Sequence, residues 1–293
     1  MKRILMIVGV ISFLAAGFWV FIFNGQMNAR YSEGWRWELN SLGLNALADE
    51  ETGLFPETPQ EEDPISLQER VVSSETVPDS ANQVLISDVF TVKNAETGTE
   101  EWSFTTTATV DVSTGQHIEG ELASDYYLIP KNAEKTTYIV SNTTYQSIPL
   151  AFEREEEVAG INTYMYAYYG DINNEAAYDY IDLEDGQEII CFDFTMEHWV
   201  EPRTGEIIQV REICPGDYVV DKSSGEQLFG LQRWQIVSTG DDLLRRTSVV
   251  NSQLTTLNLM NIYIPLFLVS VGVVALIFAF VSGRTSADKE AAT

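Results

Sequence analysis

Two apolar runs frame the chain. Residues 4–23 and residues 262–281 each hold 20 consecutive residues without a charge. At about 1.5 Å per residue each helix would span roughly 30 Å, the hydrocarbon thickness of a bilayer. Between them the pattern turns to short alternating segments. VLISDVFTV, WSFTTTATVDV, TTYIV, INTYMYAYY, IICFDFTMEHWV, EIIQVREI, DYVVD and LQRWQIV are β-branched or aromatic and are separated by turn residues. The pattern predicts a mainly β, antiparallel, curved-sheet ectodomain between two transmembrane α-helices.

Four of the turns share one chemistry: KNAETG (93–98), DVSTG (111–115), EPRTG (201–205) and DKSSG (221–225). An acidic, Asn or Ser side chain favours turn entry, and the terminal Gly supplies a positive φ. TATVDVSTGQHI and EHWVEPRTGEII also align position for position, which suggests two related halves joined near residue 140. The strand at 161–169 is apolar on both faces, with Tyr164, Tyr166 and Tyr168 on one side and Met165, Ala167 and Tyr169 on the other. Something must cover the second face: a helix, another sheet or an apolar ligand. The three tyrosines are therefore the candidate ligand-binding residues.

Outside the sheet, Trp35, Leu39 and Leu42 recur at helical spacing, either in an interfacial segment or in a short helix capping the ectodomain. DEETGLFPETPQEEDP (49–64) reads as an exposed acidic linker. Residues 241–261 place Val250, Leu254 and Leu257 on one helical face, with Asp241 and Asp242 favouring the helix dipole at its start. Ser12/Ala16 and Ala275/Ala279 form small-xxx-small pairs through which the membrane helices can pack, within one chain or in a homo-oligomer. The expected organisation is a cytoplasmic 1–3, a membrane helix 4–23, a juxtamembrane and linker segment 24–65, a β domain 66–240, a juxtamembrane helix 241–261, a membrane helix 262–281 and a cytoplasmic tail 282–293.

Charge sets the orientation. Lys2 and Arg3 precede the first helix, and Arg284 and Lys289 follow the second, so the positive-inside rule places both ends in the cytoplasm of a two-helix plasma-membrane protein. The first run exceeds the ~7–15 apolar residues of a signal peptide and no A-x-A-like site follows it, which favours an uncleaved anchor. Residues 24–261 carry 13 Lys and Arg against 42 Asp and Glu. So acidic an exterior excludes nucleic acid as a partner; lipid enters as the solvent of the helices. Cys191 and Cys214, the only cysteines, then lie where disulfides persist. A two-residue turn at Pro202-Arg203 sets them directly opposite each other. A bulge at Gly205 would instead align the apolar faces and shift the cysteines by one.

Catalytic signatures are missing: there is no G-x-S-x-G, Walker loop, C-x-x-C or H-E-x-x-H. His117 and His198 stand alone in strand-like contexts and read as structural. DINNEAAYDYIDLEDGQE (171–188) is rich in oxygen but lacks EF-hand spacing, so no metal or cofactor is assigned. Asn142 opens a glycosylation sequon.

The order of VKNAETG, TVDVSTG, YLIPKNAEKTTY (127–138), EEVAGINTY (156–164), HWVEPRTGEI and a final apolar helix resembles the actinobacterial PorA porin family. The likeness spans residues 66–281; the acidic linker and the cysteine pair depart from it. It implies an envelope protein, and the family name implies an oligomeric channel. VAGINTY (158–164) followed by WVEPRTG (199–205) is also similar to lipoprotein carriers of the LolA and RseB kind, whose curved sheet surrounds an apolar hollow. Two helices apolar all round offer no polar lining for a pore, and the ectodomain strands carry charges throughout. The residues therefore point first to an anchored, non-enzymatic domain that binds an apolar ligand or acts as a scaffold, and second to a channel.

Overall fold

The computed structural model describes residues 2–27, 36–49, 52, 65–78, 80, 82–120, 122–141, 147–178 and 181–290. The chain divides into a helical unit, residues 1–29 with 251–293, and a β unit, residues 30–250.

The β unit is one antiparallel sheet of ten strands: β1 (Arg36–Leu47), β2 (Ile65–Thr76), β3 (Gln83–Asn94), β4 (Glu100–Asp111), β5 (Thr137–Ser141), β6 (Ser147–Val158), β7 (Ile161–Asn173), β8 (Gln187–Val200), β9 (Ile207–Asp221) and β10 (Gln227–Ser238). Their order is β4-β3-β2-β1-β10-β9-β8-β7-β6-β5, two meanders joined where β1 pairs with β10. β1 is a central strand, although its Leu39 and Leu42 belong to the helical spacing expected of a juxtamembrane segment. Trp37 and Leu39 are buried while Leu42 is exposed, which is the alternation of a strand. Pairing on both sides, with β2 and β10, outweighs a weak local preference. The sheet accordingly begins at residue 36, ahead of the expected boundary at 66.

Laid flat, ten strands would hold their edges about 43 Å apart. Here three isolated bridges lie between them. Val110 of β4 bridges His117, Gln116 bridges Tyr126, and Tyr126 bridges Val140 of β5. The sheet therefore curls, and it stays open because, among the described residues, no continuous ladder joins β4 to β5.

The four look-alike turns have one geometry. In each, a side-chain oxygen of the first residue (Asn94, Asp111, Glu201 or Asp221) accepts the N–H three positions on. The fifth residue is Gly98, Gly115, Gly205 or Gly225, with φ near +70°, and its N–H returns to the first residue's carbonyl at 2.8–2.9 Å. A residue with a Cβ would be strained there. At Asp221 the bonds donated by Ser223 and Ser224 hold the carboxyl down at about 2.

Cys191 and Cys214 form a disulfide, with Cα atoms 5.9 Å apart. The two-residue turn is replaced by the five-residue one, with a register shift beside it between Trp199 and Val200. Cys191 consequently pairs with Asp217, so the bridge runs diagonally. Asp193, at φ 53°, flips the alternation of β8, and Cys191 and Phe194 both end in the core. Losing the bridge in the variant carrying both Cys191→Ser and Cys214→Ser should lower unfolding stability by about 3 kcal/mol, read by denaturant titration.

α2 (Gly240–Asn258) begins in the β unit, capped by Thr239, whose hydroxyl accepts the Asp242 N–H at 3.0 Å. Asp242, Arg246 and Val250 form its buried stripe. Arg246 bonds Asp242 at 2.6 Å and the Ile207 carbonyl at 2.8 Å, and stacks 4.3 Å over the Trp37 ring. A buried ion pair thus carries a docking face that the apolar spacing alone did not mark.

Within the helical unit, α1 (Lys2–Met27) and α3 (Ile264–Glu290) run antiparallel. A Cβ on Gly9 would come within 2.8 Å of Leu276, and one on Gly272 within 3.0 Å of Phe13. Ser12, Ala16, Ala275 and Ala279 are buried along the same stripes, so the small residues do set the contact. A π-turn, Leu259–Tyr263, joins α2 to α3, and the Trp19 indole donates to the carbonyl of Met260 within it at 3.1 Å. Among the described residues one helical stretch, Gly240–Val281, is long and apolar enough to cross a membrane, while the apolar part of α1, Ile4–Val20, is shorter.

Candidate functional site

The concave side of the sheet is the natural place for a ligand, and the chain itself occupies it. Residues 126–133, between β4 and β5, enter the core. Tyr127, Leu128, Ile129 and Ala133 are all buried there, Ile129 with no exposed surface. The segment hangs between two of the look-alike turns. Its Tyr127 N–H donates to the Gly115 carbonyl at 3.0 Å, and its Ala133 N–H donates to the Pro202 carbonyl at 2.7 Å.

β7 presents its tyrosines to this insert. Tyr166 is wholly excluded from solvent; its hydroxyl donates to the Glu134 carbonyl at 2.7 Å, and its ring meets those of Tyr138 and Phe152 edge-on. A side chain that no water-sized probe can touch borders no void of even that size. Tyr164 and Tyr168 are half-buried at the margins of the same core. Tyr164 packs on Phe152 and lies under the Lys135 ammonium, and Tyr168 donates to the Asp171 carbonyl at 2.9 Å. Burial drives the Tyr166 hydroxyl well above the ordinary phenol range.

On the other face of β7, Met165 and Ala167 are buried and Tyr169 is exposed. Cover comes from side chains of the same sheet. The Trp199 indole of β8 reaches across β7 to the Glu156 carboxylate of β6 at 3.0 Å.

The insert is locked by charge. Asp88 on β3 takes Nε and Nη2 of Arg70 on β2 at 2.9 and 2.5 Å through one oxygen, which also accepts the Tyr127 hydroxyl at 2.5 Å. All three groups are buried or nearly so, and the Arg70 guanidinium, although burial opposes its charge, is pushed further up by Asp88. The Arg70 guanidinium also lies 5.7 Å from the Trp37 ring. The alternation did not mark these two residues: Asp88 is a charge at a position the pattern of β3 assigns to the core, and Arg70 shares its face of β2 with Ser66, Gln68 and Ser74, which reads as a polar face.

Both histidines are buried. His117 Nε2 lies 2.6 Å from Ser141 Oγ, and His198 Nε2 lies 3.4 Å from Glu212 Oε1. The Ser141–His117 pair has the spacing of a nucleophile and its base, yet Ser141 is buried as well, and the Asp125 carboxylate is engaged by the Ser147 hydroxyl. Burial holds the His117 pKa below its ordinary 6.5, against the pull of Asp125. The unfolded chain therefore binds a proton below pH 6.5 that the folded chain refuses. His117 thus supports the fold fully above pH 6.5 and progressively less as the pH falls towards its lowered folded value. The slope of Tm between pH 7.5 and 5.5 should accordingly flatten in His117→Gln.

In the loop at 171–188 several polar side chains serve the fold. Asp171 accepts the Asp193 N–H at 3.0 Å, and Asn174 and Tyr178 donate to the buried Asp217 carboxylate at 3.0 and 2.5 Å. Among the described residues the one close group of three potential metal ligands is Cys191, Cys214 and Asp217, and both its sulfurs are tied in the disulfide. Asn142 lies outside the described residues.

A family model described as Porin PorA matches residues 45–281. No curated protein matches the chain. The match runs from the end of β1 through the insert and the β6–β7 hairpin to the last apolar helix, and it lends nothing to the lipoprotein-carrier likeness. With most of its length covered by that model, the chain belongs to the PorA porin family, an envelope family.

Proposed function

We propose that this chain is a non-enzymatic envelope scaffold: a β domain held outside the plasma membrane by two helices, with both termini in the cytoplasm. One observation carries the scaffold reading. Tyr166, at the centre of the face where a ligand would lie, is sealed by Glu134 and the insert that precedes it. A site for an apolar guest normally offers some 300 Å³ or more of concave space, and the insert takes that place. The disulfide suits an oxidising compartment, and the basic residues at both ends suit the cytoplasmic side.

A photoreactive acyl-chain lipid in vesicles holding the full chain tests the reading. Label confined to peptides of the two membrane helices supports the scaffold; label in residues 126–133 or 161–169 puts lipid in the hollow and sinks it. Protease added to intact cells should remove the ectodomain and spare a tag after Thr293. A protected ectodomain would reverse the orientation.

Family membership favours a second reading, an oligomeric channel. Since α1 and α3 expose Ile, Leu and Phe side chains around most of their surface, a water-filled path would have to form between several copies. Unitary conductance from purified protein in planar bilayers, lost when residues 262–281 are replaced by a polyleucine span, would establish it.

A further inference from the structure

The two free edges of the curved sheet are treated differently. Beyond the short β5, the edge passes to β6, where Glu153, Arg154, Glu155, Glu156 and Glu157 stand in a row, all exposed. Charges of this kind deter strand addition. The β4 edge carries none between Trp102 and Thr109: Ser103, Phe104, Thr105, Thr106, Thr107 and Ala108.

Register tells which backbone groups this edge offers. The Asp111 N–H donates outward to Gln116, and the Thr109 carbonyl accepts outward from Ile118, whereas the Val112 N–H donates towards the β3 side, to Asn82. From Ser103 to Asp111 the odd-numbered residues of β4 therefore direct their N–H and C=O away from β3; before that the register shifts opposite Val92 and Lys93, and the Thr99 carbonyl accepts from Asn94. At 109 and 111 they are used within the chain. At Ser103, Thr105 and Thr107 they meet no partner among the described residues. This leaves a run of three donors and three acceptors, with the side chains of all three residues exposed beside it.

We propose that this edge binds the same edge of a second copy of the chain, antiparallel, about a two-fold axis at Thr105. The arrangement follows from the free residues themselves. An axis at Thr105 sets Thr105 opposite its own copy and Ser103 opposite Thr107, so every pair that exchanges hydrogen bonds uses two outward residues. No like charges face each other: Glu101 meets Thr109, and Glu100 meets Val110. An axis moved to Phe104 would pair Thr107 with Glu101, at the register shift. In a chain carrying a net charge of −27, this neutral, self-complementary stretch is where two copies can approach. The proposal adds a dimer to the scaffold reading and does not depend on the hollow being filled.

Thr105→Pro tests it, because proline removes an outward N–H and leaves the β3–β4 ladder intact. The full chain in detergent, sized by light scattering after chromatography, should be a dimer, with the dissociation constant raised at least about tenfold in Thr105→Pro. At concentrations dilute enough for both to be monomeric, the unfolding midpoint of that variant should match the parent, and Thr105→Cys should give a disulfide-linked dimer on oxidation. A monomeric parent protein overturns the proposal. So does a dimer indifferent to Thr105→Pro, which would place the contact on the membrane helices. Neither result bears on lipid labelling of the hollow, so the scaffold reading is judged separately.

Discussion

Asp88→Ala should destabilise the β domain by about 3–5 kcal/mol, the usual consequence of removing one member of a buried ion pair. Asp88 is 3 % exposed, and its loss would leave the Arg70 guanidinium and the Tyr127 hydroxyl without their shared acceptor. Most of the penalty comes from the stranded cation rather than from the attraction lost. Replacing Arg70 and Asp88 together by Leu should therefore recover most of the stability. Tyr127→Phe removes the bond to the Asp88 carboxylate and should cost about 1.5–3 kcal/mol. Chemical unfolding of the full chain, followed by tryptophan fluorescence, separates the three.

Ile129→Ala should cost about 2–5 kcal/mol, as large-to-small changes in a closed core do. Ile129 has no exposed surface and belongs to the same core as Val72, Ile86 and Leu150. Had residues 126–133 been a removable lid over a ligand cavity, the same change would act mainly on binding and only slightly on unfolding. Thr137→Ala, at an exposed position of β5, should stay within about 0.5 kcal/mol and serves as the control.

The strand-rich fold was legible because alternation and turn chemistry agree. The four acid-or-Asn turns ending in Gly announce their positive φ in the sequence and have it in the structure. The covered second face of β7 was legible too, from Met165 and Ala167. What covers it was not, since a Trp199–Glu156 bond across three strands depends on a register that a single sequence does not encode. β1 was missed because a 35/39/42 spacing suits a helix, and only pairing on both sides decides otherwise. Residues 126–133 were missed for a similar reason: they lack the period of helix or strand, and a short irregular run reads as surface loop until the curl of the sheet surrounds it. The diagonal disulfide depended on Asp193 adopting a left-handed conformation, which nothing around it requires.

The central claim is that the insert is part of the core. Hydrogen exchange of the full chain, resolved to residues 126–133, tests it most directly. The Tyr127 and Ala133 amides, bonded to Gly115 and Pro202, should exchange as slowly as the paired amides of β8 and β9 and should not respond to added lipid. Exchange of those two amides within seconds while β8 and β9 stay protected, or protection that appears only with lipid, would show a movable lid and contradict the account.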